Sequence, residues 1–135
     1  MTRLQTAFGA LVLVQAAHST EEYAGKLWES FPPARFLTSL ISPDLEWGFI
    51  VANVTLVAFG IWCFFWPVLR RWPSAVALAW LWVGIELLNG IGHPLWSLSR
   101  QGYTPGVATA PLLLIAALYL ANQLRASRQP PAATS

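Results

Sequence analysis

Charged side chains are scarce in this sequence. Lysine, arginine, aspartate and glutamate together make up 10% of the residues, whereas an ordinary soluble domain carries about 25%. Hydrophobic residues make up 56% of the chain, and eight residues are tryptophan. A chain with so few charges cannot cover an ordinary water-facing surface, so the composition indicates an integral membrane protein that has the lipid bilayer as its partner.

Two further scarcities limit the classes of function and fold. No basic run is interleaved with aromatic residues, so the sequence predicts no nucleic-acid partner. The single cysteine, Cys63, cannot form an internal disulfide and lies in an apolar stretch, where we expect it to pack as a small hydrophobe. With 135 residues, the chain is expected to form one domain.

Four apolar segments predict the fold. They run over about 4–24, 47–68, 74–97 and 105–124. Each is close to the length of about 20 residues that a helix needs to cross a bilayer. We therefore predict an all-α, polytopic membrane protein, with a bundle of four transmembrane helices over 1–125 and a disordered tail at 126–135.

The local sequence predicts where the fourth helix begins. Thr104 and Pro105 suit the N-cap and the first position of a helix, and Gly106 would let a backbone or a ligand come close. Pro111 would then lie one turn inside the helix and kink it. Pro94 is expected to weaken the outer end of the third helix for the same reason.

The basic residues predict the orientation of a four-span chain. The side with both termini and the second loop would hold Arg3, Arg70, Arg71, Arg125 and Arg128, and the other side Lys26, Arg35 and Arg100. This excess of five over three predicts a multi-pass protein with both termini in the cytoplasm. The first segment has a second interpretation as a cleaved signal peptide, although its apolar pattern continues as far as Trp28.

Polar residues interrupt three of the four spans. They are His18, Glu21 and Glu22 in the first, Glu86, Asn89 and His93 in the third, and Tyr103, Gly106 and Thr109 at the start of the fourth. His18 and Glu22 are four residues apart and share one helix face. Because consecutive spans run in opposite directions, all three groups are expected at one level, in the outer half of the bilayer.

The cost of burying charge indicates that these groups face one another. A charged side chain at the bilayer centre costs at least about 2.5–3.5 kcal/mol, so such residues turn to the bundle interior and find partners there. Glu86 lies deepest, and Asn89 and His93 follow it on one stripe of the same helix. The sequence therefore predicts a single polar site inside the bundle.

The residue types of this site are typical of a metal centre. Imidazole and carboxylate groups on facing helices bind zinc or iron. We predict one or two divalent ions, zinc or iron, held by His18, Glu22, Glu86 and His93, with Asn89 as an additional ligand. Glu21 and Glu86 are the candidate catalytic carboxylates. Tyr103, Gly106 and Thr109 would orient a hydrophobic small-molecule substrate that enters from the lipid.

Two other functions remain open from the sequence alone. The same residues suit a metal-free isomerase or cyclase that uses a buried glutamate as an acid, because burial disfavours the charged form of a carboxyl group. A non-enzymatic structural or carrier protein could use the polar groups only to hold its helices together. The sequence gives neither the substrate nor the oligomeric state.

Three motifs resemble those of the HXXEE-motif family. They are "HSTEE" at 18–22, "NGIGH" at 89–93 and "YTPGVATA" at 103–110. The resemblance extends over about 8–122 and implies an integral membrane protein of uncharacterised function whose polar motifs suggest an enzyme. It also implies that His18, Glu21 and Glu22 form the motif that gives the family its name. The resemblance supplies no substrate, so it strengthens the site and leaves the reaction open.

Overall fold

The computed structural model of the protein describes residues 1–127, and it is helical. The helices are α1 (Arg3–Ala24), α2 (Leu27–Ser30), α3 (Pro32–Ser39), α4 (Leu45–Cys63), α5 (Ala75–Arg100) and α6 (Ala110–Ala126). A π-helical segment, Phe64–Val68, continues α4. No strand occurs in residues 1–127, so the all-α part of the prediction is confirmed. Most of the predicted disordered tail lies outside the described residues.

The four long helices coincide with the four apolar segments, but they are not equally apolar. Among the described helices, Leu45–Val68 and Ala75–Arg100 are long and apolar enough to cross a membrane. The remaining long helices, α1 and α6, do not reach that measure, and α6 has 17 residues. Length and composition therefore identify two candidate spans where the sequence pattern predicts four.

Contacts at the helix ends show that α1 and α4 run in opposite directions. Near the start of α1, the Gln5 side-chain amide donates to the carbonyls of Val68 and Leu69, each at 3.2 Å. Near the other end of α1, the Tyr23 hydroxyl donates to Glu46 at 2.8 Å. The start of α1 therefore lies beside the end of the α4 segment, and the end of α1 lies beside the start of α4.

The inward face of α1 changes from apolar to polar halfway along the helix. Its buried residues are Gln5, Ala7, Phe8, Leu11 and Val12 in the first half and Gln15, His18, Ser19 and Glu22 in the second. The buried face of α5 changes in the same sense, from Trp82 and Val83 to Glu86 and His93. The bundle therefore has a mostly apolar core at one end and a polar core at the other.

The predicted start of the fourth helix is wrong. Thr104 and Pro105 belong to a turn, and α6 begins at Ala110 with Thr109 as its N-cap. Gly106 has a φ of +91°, a conformation that a right-handed helix cannot contain. Because the helix begins later than expected, Pro111 falls in its first turn, where proline causes no kink.

Two other proline-containing segments also remain helical. The predicted break over 25–46 contains α2 and α3, and Pro32 and Pro33 open α3 at positions that do not need a backbone N–H donor. Pro94 lies inside α5, which continues as one helix to Arg100. Proline thus lies at the start of α3 and of α6. In α5, Pro94 removes one backbone hydrogen bond of the helix.

We expect Gly90→Ala to destabilise the fold because α5 and α6 approach each other closely there. A Cβ at Gly90 would lie 2.9 Å from the backbone N of Leu114 and 3.0 Å from its Cα. Such overpacking costs about 1–3 kcal/mol, which a lower thermal unfolding midpoint in detergent would reveal. Gly92→Ala is the matched control, since nothing lies within 4 Å of its Cβ position. Equal effects of the two substitutions would contradict this account of the interface.

Candidate metal centre

Both histidines of the chain meet one glutamate in the polar core. The Nε2 atoms of His18 and His93 lie 3.3 Å and 3.1 Å from the same Oε1 atom of Glu22. One potential ligand atom from each of these three residues lies within 4.8 Å of the other two. All three side chains are buried, and the two rings pack edge to face with their centroids 4.8 Å apart.

A backbone carbonyl fixes the protonation of His93. The Nδ1 atom of His93 lies 2.8 Å from the carbonyl oxygen of Pro105. A carbonyl oxygen can only accept a hydrogen bond, so Nδ1 is the nitrogen that carries the hydrogen. In the neutral ring, Nε2 then has a free lone pair, and this is the atom that faces Glu22.

A hydroxyl and a carboxylate fix the protonation of His18 in the same way. The Thr109 hydroxyl lies 2.5 Å from Oε2 of Glu21, which as a carboxylate accepts its hydrogen. The Thr109 oxygen, 2.7 Å from Nδ1 of His18, is then free to accept the hydrogen on Nδ1. Within the described residues Nε2 of His18 has no hydrogen-bond partner, although Glu22 is close.

The two lone pairs and the carboxylate oxygen therefore converge on one small volume. Metal-binding histidines in proteins coordinate through one ring nitrogen while the other nitrogen donates to a carbonyl or a carboxylate. His93 has the carbonyl of Pro105 in that role, and His18 has Glu21 acting through Thr109. These three residues could hold a divalent cation with little rearrangement of the groups behind them.

The two neighbouring glutamates have different roles. Glu22 faces the histidines, whereas Glu21 binds the loop between α5 and α6. Its carboxylate accepts the Tyr103 hydroxyl at 2.8 Å and the backbone N–H groups of Ala108 at 3.0 Å and Thr109 at 2.8 Å. Negative charge is favourable at this place because α6 begins there. The predicted substrate residues Tyr103 and Thr109 thus contact Glu21.

Gly106 allows the loop to lie directly against the two imidazole rings. A Cβ atom at this position would lie 2.6 Å from Nδ1 of His93 and 2.9 Å from Cε1 of His18. The sequence predicts that Gly106 lets a backbone or a ligand come close, and in the structure the closest groups are the two histidine rings. The loop, α1 and α5 are therefore packed together at the candidate metal centre.

Glu86 and Asn89 form a separate polar group beside the three converging residues. Glu86 is completely buried and accepts from the Asn89 amide at 3.4 Å. With the Gln15 amide turned to satisfy both of its ends, its nitrogen donates to the Glu86 oxygens at 3.1 and 2.9 Å. Within residues 1–127, Glu86 does not belong to the group of histidine and carboxylate ligand atoms that converge.

Three participants were missed from the sequence. Gln15 and Ser19 lie on the same buried face as His18, and that spacing could have identified them. The Pro105 carbonyl left no signal, because a backbone acceptor can belong to any residue type. Thr109 and Tyr103, predicted to orient a substrate, contact Glu21 in the structure, and their substrate role stays a prediction.

The fold and the site define an all-helical protein whose polar core brings a histidine–glutamate–histidine group together. The chain belongs to the family described as "Protein of unknown function with HXXEE motif", which matches residues 10–120. His18, Glu21 and Glu22 form the motif itself. No curated protein and no solved structure matches the chain.

We expect Gly106→Ala to disturb both histidine rings. The new methyl group would meet them at the distances given above, and the positive φ disfavours any residue with a Cβ. The chain has two histidines, so the ring signals in a ¹H–¹⁵N correlation spectrum of the detergent-solubilised protein are readily assigned to this site. Both signals should shift. Gly102→Ala is the control, since its nearest neighbour would lie 3.9 Å away, and unmoved ring signals in Gly106→Ala would refute the packing argument.

The hydrogen bond to Glu21 raises the pKa of the Tyr103 hydroxyl above its ordinary value, because the neutral phenol is the donor. Its contribution to stability is therefore present below the ordinary tyrosine pKa and is lost as the pH rises through the folded-state pKa. With ¹³Cζ-labelled tyrosine, the Tyr103 signal should titrate at higher pH than a free tyrosine. Glu21→Gln should move the titration back down, and an unchanged titration would show that the hydrogen bond is not formed.

Proposed function

We propose that the chain is a four-span membrane enzyme that binds one divalent metal ion at His18, Glu22 and His93 and acts on a lipid-soluble small molecule. The observation that carries the proposal is the convergence of two imidazole lone pairs on one carboxylate oxygen.

The outward faces of the long helices support membrane insertion. Large apolar side chains are exposed near the middle of all four: Leu13 is 73% exposed, Val54 62%, Leu88 77% and Ile115 64%. A surface helix of a soluble protein carries polar residues on its outer face, whereas lipid requires apolar ones. α1 and α6, which are less apolar along their length, still present this kind of surface and would complete a four-span bundle.

The chemistry of the ligands supports a metal such as zinc or iron. Two histidines and one glutamate form one of the ligand sets of catalytic zinc sites, in which the fourth position is left for water or substrate. The groups behind the ligands are also in place, because Nδ1 of each ring already has an acceptor. The convergent group within residues 1–127 contains three residues and so supports one ion per chain.

The chemistry of such a site is the polarisation of an oxygen atom. A bound divalent ion with an open position activates a water molecule or withdraws electrons from a substrate carbonyl or hydroxyl group. Glu21 is engaged with the loop by four hydrogen bonds, so we assign it the task of orienting His18 rather than that of a general base. Glu86 remains the carboxyl group that could exchange a proton with substrate.

Acid–base catalysis without a metal is the second candidate, and the surroundings of Glu86 favour it. This residue is completely buried, and its hydrogen-bond donors are the neutral amides of Gln15 and Asn89. A buried carboxyl group among neutral donors is a suitable proton donor, because burial disfavours its charged form. An isomerase or cyclase could use it on an apolar substrate.

Metal analysis distinguishes these functions. We expect gently extracted protein to contain about one zinc or iron per chain, because three ligands, with both imidazole rings oriented by hydrogen bonds at Nδ1, hold such ions tightly. His18→Ala and His93→Ala should each abolish stoichiometric binding. Thr109→Val should weaken it by about 10- to 100-fold, the usual effect of removing the group that accepts the hydrogen of a metal-binding histidine. Metal content after dialysis against a graded chelator series is the measurement.

The carboxylate control for this experiment is Glu29→Gln. Glu29 is exposed and pairs with Lys26 outside the polar core, so its loss should leave the metal content unchanged. Protein that binds no metal either as extracted or after zinc addition, while remaining folded, would overturn the metal proposal. If Glu86→Gln alone then removed activity, the acid–base function would be favoured.

Labelling of introduced cysteines tests the four-span topology. Cys63, the one native cysteine, is buried and can be replaced by alanine. In that background, Gln101→Cys between α5 and α6 should react with a membrane-impermeant maleimide in intact cells. Ser127→Cys should react only after permeabilisation, since we propose that both termini lie in the cytoplasm. The opposite pattern would reverse the orientation, and labelling of both sites in intact cells would exclude the four-span arrangement.

A further inference from the structure

A groove opens between α1 and α4 on the side of the bundle. It encloses about 590 Å³, which is within the range of about 300–1,000 Å³ found for ligand pockets. Its lining is mostly aliphatic, with polar groups at Ser19, Thr20, Tyr23 and Asn53. On α4 the lining extends from Phe49 to Ile61, a helical rise of about 18 Å. The groove is therefore long and mostly apolar, with polar groups at a few fixed places.

The hydroxyl groups of Thr20 and Tyr23 have already donated their hydrogens to the protein, and Asn53 has donated one of its two. The Thr20 hydroxyl donates to the carbonyl of Ala16 at 2.9 Å, and the Tyr23 hydroxyl donates to Glu46 at 2.8 Å. The Asn53 amide donates one hydrogen to the carbonyl of Phe49 at 3.2 Å. These side chains keep their acceptor lone pairs, so the groove is better suited to a ligand that donates a hydrogen bond.

Ser19 connects the groove to the buried carboxyl group of Glu86. In the amide orientation that satisfies Gln15, its nitrogen donates to Glu86 and its oxygen accepts from the Ser19 hydroxyl at 3.0 Å. The Ser19 hydrogen is therefore also engaged, and its oxygen can only accept from a ligand. Ser19 is 7% exposed, which places this acceptor at the floor of the groove.

The floor of the groove lies next to the candidate metal centre. Ser19 follows His18 directly in the chain and precedes Glu22 by three residues, which is less than one turn of α1. All three side chains are on the buried face of that helix. A ligand whose polar end reaches Ser19 is therefore within about one helical turn, 5.4 Å, of the backbone that carries two of the proposed metal ligands.

We propose that this groove binds a lipid-soluble alcohol with one long hydrocarbon chain, and that its hydroxyl group donates to Ser19. The hydrocarbon chain would lie along α4, past Asn53 and Val57 towards Ile61. The proposal rests on the proposed function, because it names the substrate class for the same metal centre. It ranks esters and ethers below alcohols, since they have no hydrogen to donate to Ser19.

Two photoreactive probes test the proposal with the full chain. One is a long-chain primary alcohol with a diazirine in its hydrocarbon chain, and the other is the methyl ether of the same alcohol. After irradiation in nanodiscs of phosphatidylcholine, peptide mass spectrometry locates the labels. We expect labels on the groove-facing residues of α1 and α4, with the alcohol bound about 2- to 12-fold more strongly than the ether, the ratio for one net hydrogen bond.

Matched variants assign the effect to the groove. Ser19→Ala should reduce the ratio of alcohol to ether labelling to one while the ether still labels the groove. Val57→Trp should fill the groove and remove labelling by both probes. Leu88→Trp, on the exposed face of α5, is the control and should change neither. The comparison of the two probes in the native chain needs no variant, so a variant that fails to fold leaves the proposal falsifiable.

Equal labelling by alcohol and ether, or labels spread over the outer faces of α4, α5 and α6, would show ordinary lipid contact and overturn the proposal. The metal content of the same samples separates this result from a failure of the proposed function. Bound metal without alcohol preference would refute the groove alone. Alcohol preference without bound metal would refute the metal centre and leave the groove as a binding site beside Glu86.

Discussion

The carboxylate of Glu21 holds the end of α1 against the loop that precedes α6, and the candidate centre depends on this contact. It accepts from two backbone N–H groups and from the hydroxyls of Tyr103 and Thr109. Because Thr109 is held in this way, its oxygen can accept from His18. The same loop presents the Pro105 carbonyl to His93, so one anchored segment orients both imidazole rings.

This anchoring also explains why the two histidines and Glu22 meet at one end of the core. Burying an unpaired polar group costs free energy, so each buried polar side chain needs a partner within reach. The loop supplies partners at one end of the bundle, and the amides of Gln15 and Asn89 supply them for Glu86. At the other end, Phe8 packs against Trp82, and the buried Gln5 side chain has the backbone carbonyls of Val68 and Leu69 as its partners.

Helical periodicity was sufficient to predict the long helices and the grouping of polar residues, because both depend on the spacing of side chains along one element. It placed His18, Glu22 and His93 in one polar site, and the structure brings those three residues together. It could not predict the start of α6 at Ala110, because that boundary is set by the contact of Glu21 with a distant loop. Nor could it separate Glu86 from the converging group, since the sequence gives its helix face but not the distances between helices.

The balance of charge indicates why two consecutive glutamates are useful here. Glu21 and Glu22 diverge by about 100° around α1, so one faces the loop and the other faces the histidines. In an apolar environment their two negative charges would repel each other, and neither has a lysine or arginine partner within the described residues. The divalent ion that we propose would neutralise both carboxylates while leaving the two imidazoles uncharged. Protonation would neutralise both carboxylates only if both imidazoles became charged, and their ring centroids are 4.8 Å apart, where two positive charges repel each other. A single divalent cation avoids that repulsion.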